Sequence, residues 1–441
     1  MATWRVGLLR NDLERRIVRL AIPALGTLAV EPMYVLVDTA IVGRLGTPQL
    51  AGLAIASTVL LTVVSLTAAL QYGLTPDVAF QHGRGDAAEA RRVATNGLQL
   101  AALIGIPMGT LLAVGSRPLC WLIGGRGDVL ENATTYLRIS AVGLPFVLIA
   151  YVGHGVMRGV NQLRKPLVLV FVANLVNLVL EIVAVYVLDL GIAGSAWSTV
   201  IAQVGAAIAF AMIMRPHLIS LRPTLARMRP VLASGRHFAV RSLAMYAVWN
   251  TATFVAARID TPTLAAHQVL TQLFIFLALV LDALAIPAQS LVAGALGGGQ
   301  VDEATRVGHI SARLSLWGAG LLATGLVLLS PIAPQVFSSD SAVQSRLTAG
   351  LLILAVMQFP GALAFAYDGA LIGAKDERWL GHRAVLNLIG YAPLAIATLF
   401  VPALGLAGLW GAQMTWMVLR AVVNTRRWHL LSGDHFRRVA A

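Results

Sequence analysis

The sequence predicts an all-α integral membrane protein of twelve transmembrane helices, arranged as two pseudo-symmetric six-helix bundles that are parallel repeats of one another. Three observations predict it. First, apolar runs of about 20 residues, the length that crosses ~30 Å of hydrocarbon, recur along nearly all of a 441-residue chain that is 58% hydrophobic and 12% charged. Soluble domains average about 25% charged residues, and a soluble fold has no place to hide so much apolar surface. Second, Lys and Arg crowd the termini and alternate links, the positive-inside pattern. Third, the second half repeats the punctuation of the first at one fixed offset.

In chain order the spans fall near 17–43, 50–74, 93–115, 134–157, 166–188, 192–214, 238–258, 264–294, 307–330, 349–373, 383–402 and 406–425. The first follows Arg15 and Arg16 and continues past Pro32 to Gly43 without a small-residue cleavage site, so it reads as a retained span rather than a signal peptide. The Gly-rich links at Gly83–Gly85 and Gly297–Gly299 lack the Lys-Ser/Thr of a phosphate loop and read as turns between spans. The pair Gly155 and Gly159 at the basic end of span four suits close helix packing. The link after span six holds Arg215, Arg222, Arg227, Arg229 and Arg236 among Pro216, Pro223 and Pro230, which makes 216–237 a cytoplasmic linker between an N-terminal lobe, 1–215, and a C-terminal lobe, 238–441. The charge bias puts both termini in the cytoplasm of a multi-pass protein of the inner or plasma membrane.

An offset of 214 aligns the halves without a gap. Arg44, Thr47 and Pro48 fall on Arg258, Thr261 and Pro262; Gly83 and Gly85 on Gly297 and Gly299; Gly155 and Gly159 on Gly369 and Gly373; Gly191 and Gly194 on Gly405 and Gly408. Six spans return the chain to its starting side, so the second half inserts like the first. Assemblies of this kind are typical of secondary transporters, with sites near the midplane.

The informative residues are polar ones inside spans, where a carboxylate costs at least ~2.5 kcal/mol. Thr27, Glu31, Tyr34 and Asp38 share one face of span one, and Pro32 in that stripe removes a backbone donor and should bend the helix. Asp38 is either functional or an interfacial residue near the span's end. Asn174, Asn177 and Glu181 share a face of span five, and Ser195, Thr199 and Gln203 a face of span six; these close around Asp38 or glue helices together by hydrogen bonds. Burial disfavours the charged form of a carboxyl such as Glu181, which outlines a proton-coupling site. The second half offers Tyr246 and Asn250, with Thr253, in span seven, Gln272 and Asp282 in span eight, and Tyr367 with Asp368 in span ten. Asp282 faces a cavity or satisfies the kink before Pro287; Asp368 reads as a gate or packing residue. At the 214 offset Asp38 falls on Ala252 and Glu181 on Ala395, so the first-half carboxyls have no twins. Tyr34, Trp249, Phe274 and Phe276 either stack on flat cations or face lipid.

Other classes lose ground. One cysteine, Cys120, excludes an internal disulfide framework, and His82, His154, His267 and His309 show no metal-ligand spacing, so no metal and no cofactor are expected. The net charge of +13 resides in the links, which argues for membrane topology over nucleic acid. No nucleophile elbow, zinc helix or prenyl-diphosphate motif marks an enzyme. A lipid-linked flippase would put basic residues in its lumen, and only Arg241 reads as lying in a lumen-facing span.

The strings Glu31-Pro32, Leu36-Val37-Asp38-Thr39-Ala40, Val42-Gly43-Arg44-Leu45-Gly46-Thr47 and Leu50-Ala51-Gly52-Leu53 resemble the first helix and following loop of MATE multidrug exporters, the DinF branch most closely. Gly155 to Pro166, Asn174 to Glu181, Gly191 to Ala196, Ala265 to Val269 and Asp368 to Gly373 extend the resemblance over nearly the whole chain. It implies a monomeric antiporter working by alternating access, exporting lipophilic and often cationic small molecules in exchange for H⁺ or Na⁺. Residue by residue, it implies that Asp38 is the first-helix coupling aspartate, Asn177 and Glu181 its fifth-helix partners, and Thr199 the sixth-helix threonine. Glu181 stands where well-known DinF-like members carry Asp, and Tyr246 and Asn250 stand where another branch has a seventh-helix glutamate. Coupling through the first half by H⁺ is therefore the expectation, with Na⁺ the alternative.

Overall fold

The computed structural model describes residues 12–220, 225–432 and 436. The first repeat comprises α1 (Asp12–Gly43), α2 (Thr47–Thr67) and α3 (Ala69–Gly83), which form one span interrupted at Ala68, then α4 (Ala87–Val114) and the short α5 (Ser116–Ile123). It continues with α6 (Gly127–Gly159), α7 (Arg164–Ile182), prolonged by a π turn over Val183–Val187, and α8 (Gly191–Met214). The second comprises α9 (Leu225–Ile259), α10 (Thr261–Gly297), α11 (Val301–Leu329), the short α12 (Ala333–Phe337), α13 (Ser341–Gly373), α14 (Glu377–Ala397) and α15 (Gly405–Leu431). No strand occurs among the described residues.

The offset seen in the sequence governs the backbone. Helices α2 and α3 together run from Thr47 to Gly83 and α10 from Thr261 to Gly297, and α6 and α13 match residue for residue. The turns match as well: Asn161 and Lys375 both take a left-handed φ of 58°, and Gly85 and Gly299 take 79° and 73°. The side chain of Lys375 accepts there a conformation ordinarily left to Gly or Asn, because the turn after α13 copies the turn after α6.

Eleven described helical segments are long and apolar enough to cross a bilayer. The remaining long helix, α9, is not among them, since Arg241, Asn250 and Arg258 interrupt its apolar part; the expected link 216–237 is already helix from Leu225. Within that link Arg222 and Pro223 lie outside the described residues, as do the side chains of Arg227, Arg229 and Pro230. The short α5 and α12, at matching places in the two repeats, are elements the sequence reading did not anticipate; each fits a connection too brief for a span. Large apolar side chains such as Leu111, Trp317 and Leu321 are more than 70% exposed. Such a surface suits hydrocarbon as solvent and would aggregate in water.

Two compact units emerge: Gly26–Arg236 in one, and the described residues of Met1–Leu25 with those of His237–Ala441 in the other, so the boundary falls inside α1. In the first unit α6 packs against α2, α3, α4 and α8; in the second α13 packs against α10, α11 and α15. Glycines permit these approaches. A Cβ at Gly155 would meet the Gln71 carbonyl at 3.1 Å, and one at Gly369 would strike the carbonyl of Ala285, the residue equivalent to Gln71. In the second unit Glu14 and Arg313 form an ion pair that ties the start of α1 to α11.

Candidate functional site

The first unit holds an open cavity of about 440 Å³ lined by α1, α2, α3, α6, α7 and α8. Toward one end stands Asp38, 6% exposed, and Ser195 Oγ donates to its Oδ1 at 2.9 Å. Glu181, fully buried, lies against both Asp38 and Ser195. Since the Ser195 hydroxyl proton goes to Asp38, the two carboxyls face each other with only a shared proton or a cation able to join them; two bare carboxylates in contact repel. Neither forms an ion pair with a described residue.

A chain of hydroxyls and amides continues the site. Thr199 Oγ1 donates to the Ser195 carbonyl (3.1 Å), so Tyr34 is the donor in its 3.0 Å bond to Thr199. Asn177 Nδ2 donates to Tyr34 (3.1 Å) and Thr199 (3.2 Å). The helix periods explain the convergence: Tyr34 and Asp38 are one turn apart on α1, Asn177 and Glu181 on α7, Ser195 and Thr199 on α8. Directly after Glu181 the helix widens into the π turn, a device that recurs at functional sites. Gly194 sits against that turn, where a Cβ would meet the Ala184 carbonyl at 3.0 Å.

Of the residues singled out from sequence, Thr27, Tyr34, Asp38, Asn174, Asn177, Thr199 and Gln203 line this one cavity. The side chain of Glu31 lies outside the described residues, and α1 runs through Pro32 without a break. Tyr246, Asn250 and Gln272 are exposed on the second unit, Asn250 Nδ2 donating to the Tyr246 carbonyl. Trp249 packs on Phe274 at 4.7 Å within the second unit's core, whereas Phe276 is exposed.

Asp368 is buried in an ion cluster: Arg241 and Arg420 both reach its Oδ2 at 2.6 Å, and Asn424 donates to Oδ1 at 2.7 Å. Asp282, half-buried, stands within electrostatic reach of Arg420. The expectation that Arg241 alone brings a basic group inside the helices is thereby corrected. Arg420 and Arg158 are each 5% exposed, and Arg241 is committed to Asp368.

Sequence reasoning missed Tyr136 of α6, buried on the cavity wall beside Asp38, Glu181 and Thr199. It set His154 aside as lacking metal-ligand spacing and did not single out Arg158; both line the cavity's far end. The repeat supplied a usable signal for the other half of the molecule. The counterparts of Tyr34, Asp38, Asn177, Glu181 and Ser195 are Val248, Ala252, Tyr391, Ala395 and Leu409, all at most 1% exposed and all in one hydrophobic core. Where the first repeat lines a polar cavity, these five positions of the second repeat pack into a hydrophobic core. No cluster of three or more His, Cys, Asp or Glu fit to hold a metal occurs among the described residues.

A bundle of two helical repeats with an open cavity that bears a buried carboxyl in one of them has the features of a membrane transporter. The MatE family model matches residues 23–183 and 238–401, and the chain belongs to that family of transporters. It is 30% identical over 430 residues to Protein DETOXIFICATION 44, chloroplastic, of Arabidopsis thaliana, covering 93% of this chain and 81% of the relative. It is 26% identical to DNA damage-inducible protein F of Escherichia coli K12, over 96% of this chain and 94% of that one. Its fold matches a crystal structure of MATE in the bent conformation with a TM-score of 0.91, at 20% identity and complete coverage of both chains.

Proposed function

We propose that the chain is a secondary active antiporter of the cell membrane that exports lipophilic organic compounds, cations among them, in exchange for H⁺. Asp38 and Glu181 are the proton-binding pair, and Tyr34, Asn174, Asn177, Thr199 and Gln203 form their polar shell. The observation that carries this reading is the contact of two buried carboxyls at one end of a cavity large enough for an organic guest. A proton between them makes the site neutral; its loss leaves a negative charge that attracts a cationic substrate. Loading and release of that proton on opposite sides gives coupled exchange. The asymmetry of Lys and Arg orients both termini to the cytoplasm.

Na⁺ coupling is a second reading with its own support. The oxygens of Glu181, Asn177 Oδ1 and Gln203 Oε1 are buried and take no hydrogen bond from a described donor, and an all-oxygen shell suits a hard monovalent cation. The test is transport of a fluorescent lipophilic cation into proteoliposomes of known protein orientation, under a pH gradient and then a Na⁺ gradient, for wild type and Asp38→Asn. Uphill movement driven by the pH gradient and lost in Asp38→Asn is expected. Movement driven by Na⁺ alone moves the reading to Na⁺, and movement indifferent to the substitution removes Asp38 from the coupling site.

A further inference from the structure

The cavity of the first unit is polar at both ends, and only one end is used by the reading above. At the Arg-rich end of α6, His154 and Arg158 are one turn apart on the face that lines the cavity, 9% and 5% exposed. Gln71 of α3 braces the arginine: with its amide oxygen turned to the guanidinium it accepts from both Nη1 and Nη2, the latter at 2.9 Å. His154 is wedged against Phe210 of α8, ring centroids 4.7 Å apart, and its Nδ1 has no hydrogen-bond partner among the described residues. Gly153 makes room for that stack, since a Cβ there would collide with the Phe210 ring.

We propose that His154 and Arg158 form a subsite for an anionic group of the transported molecule, a carboxylate above all, so that the cavity selects amphoteric compounds. This inference rests on the export reading and deepens it by naming the substrate class. Three observations converge on it. A guanidinium presents parallel N–H donors that match a carboxylate, and here it is held in place and desolvated. The unsatisfied imidazole nitrogen beside it offers a further contact to the same group. The spacing also fits: from Thr199, next to the carboxyl pair, to Phe210, next to His154, α8 rises about 16 Å, the length of a drug-sized molecule with a cationic and an anionic end. The equivalent place in the second repeat differs: His154 falls on Asp368, which its arginines already occupy.

The test compares one scaffold with and without the anion: rhodamine B, which carries a free carboxylate, and its ethyl ester, which is a cation only. Binding of each to the full-length protein is measured by fluorescence polarisation in vesicles of phosphatidylcholine alone, which keeps anionic headgroups from competing. Wild type should bind the carboxylate form about tenfold more tightly than the ester, and Arg158→Gln should bring that ratio to about one. Arg158→Lys, which keeps the charge but loses the fork, should retain part of the preference. A wild-type ratio of one or one that favours the ester overturns the proposal, whatever the variants do. So does a preference that Arg158→Gln leaves intact, or equal weakening of both dyes, which marks Arg158 as a brace for Gln71 alone. If the ester binds and the carboxylate form does not, the export reading stands and this subsite falls; if neither binds, both fall.

Discussion

At the scale of single residues, the first unit sets two carboxyls against each other, whereas the second surrounds the Asp368 carboxyl with arginines. Glu181→Gln should abolish proton-driven uptake as Asp38→Asn does, whereas Glu181→Asp should leave slower exchange, because shortening the side chain by one methylene opens the contact with Asp38. Initial rates in proteoliposomes under a fixed pH gradient would separate the three. Asp368 makes a different prediction. Arg420→Met leaves a buried carboxylate with one guanidinium fewer and should cost about 3 kcal/mol of stability, near the low end for breaking a buried pair, since Arg241 and Asn424 remain. Arg427→Met, at the more exposed pair with Asp376, should cost under ~1 kcal/mol. Thermal unfolding in detergent measures both. Asp38, Glu181, Asn177 and Thr199 were legible in the sequence because each shares a helical face with another polar residue inside an apolar run, and such pairs stand out against hydrocarbon. Tyr136, His154 and Arg158 were not. They lie on α6, which is enclosed by neighbours on most sides, so its sequence carries no single apolar stripe from which to tell the cavity face. Arg420 was not singled out, because its partner Asp368 lies 52 positions earlier on another helix.

At the scale of elements, glycine and capping chemistry decide how closely helices meet. Gly369→Ala should destabilise by about 1–3 kcal/mol, because the new methyl meets the Ala285 carbonyl rather than a side chain that can move. Gly320→Ala in α11, with open space around it, should stabilise by up to ~1 kcal/mol through helix propensity. Comparing their melting temperatures isolates contact from propensity. The start of α10 is capped by Asp260, which accepts from the Thr263 backbone N–H at 2.7 Å and from Arg346 at 2.7 Å. Burial pushes its carboxyl up, but these partners outweigh it and hold the pKa below the ordinary 3.8. A depressed folded pKa contributes stability that is full above the unfolded value and fades as pH falls through the folded one. The melting difference between wild type and Asp260→Asn should therefore be constant from pH 7 to about 5 and shrink below about pH 4. Helix limits were legible to within a turn at Gly43, Gly159, Gly191, Gly297 and Gly373, but the span expected to end at 74 runs on to Gly83 and the one expected to start at 134 begins at Gly127. They were least legible at α9, where arginine-rich linker and span form one helix, and at α5 and α12, whose few residues carry no period of their own.

At the scale of the whole molecule, coupling stoichiometry has an electrical signature. Exchange of one H⁺ for one monovalent cation is electroneutral and draws ~1.4 kcal/mol per unit of pH gradient. If Asp38 and Glu181 release two protons per cycle, an extra charge crosses and adds ~2.3 kcal/mol per 100 mV. Shared possession of one proton by the pair predicts the first case: uptake of a monovalent cation should be insensitive to a valinomycin-clamped potential, and a steep voltage dependence would show that both carboxyls load. The repeat itself was legible at this scale because turns, not cores, preserve register: Gly85 with Gly299 and Asn161 with Lys375 keep matching backbone angles while the residues between them have diverged. That divergence has a history. Two copies of a six-span unit inserted in the same direction need no change of topology to be joined, so a single ancestral unit pairing with itself is the simplest forerunner of this chain. Fused copies need not stay identical, and in this chain they divide the labour. Ala252 and Ala395, small and buried where the first copy has Asp38 and Glu181, leave the second copy free of the task of carrying charge at those positions.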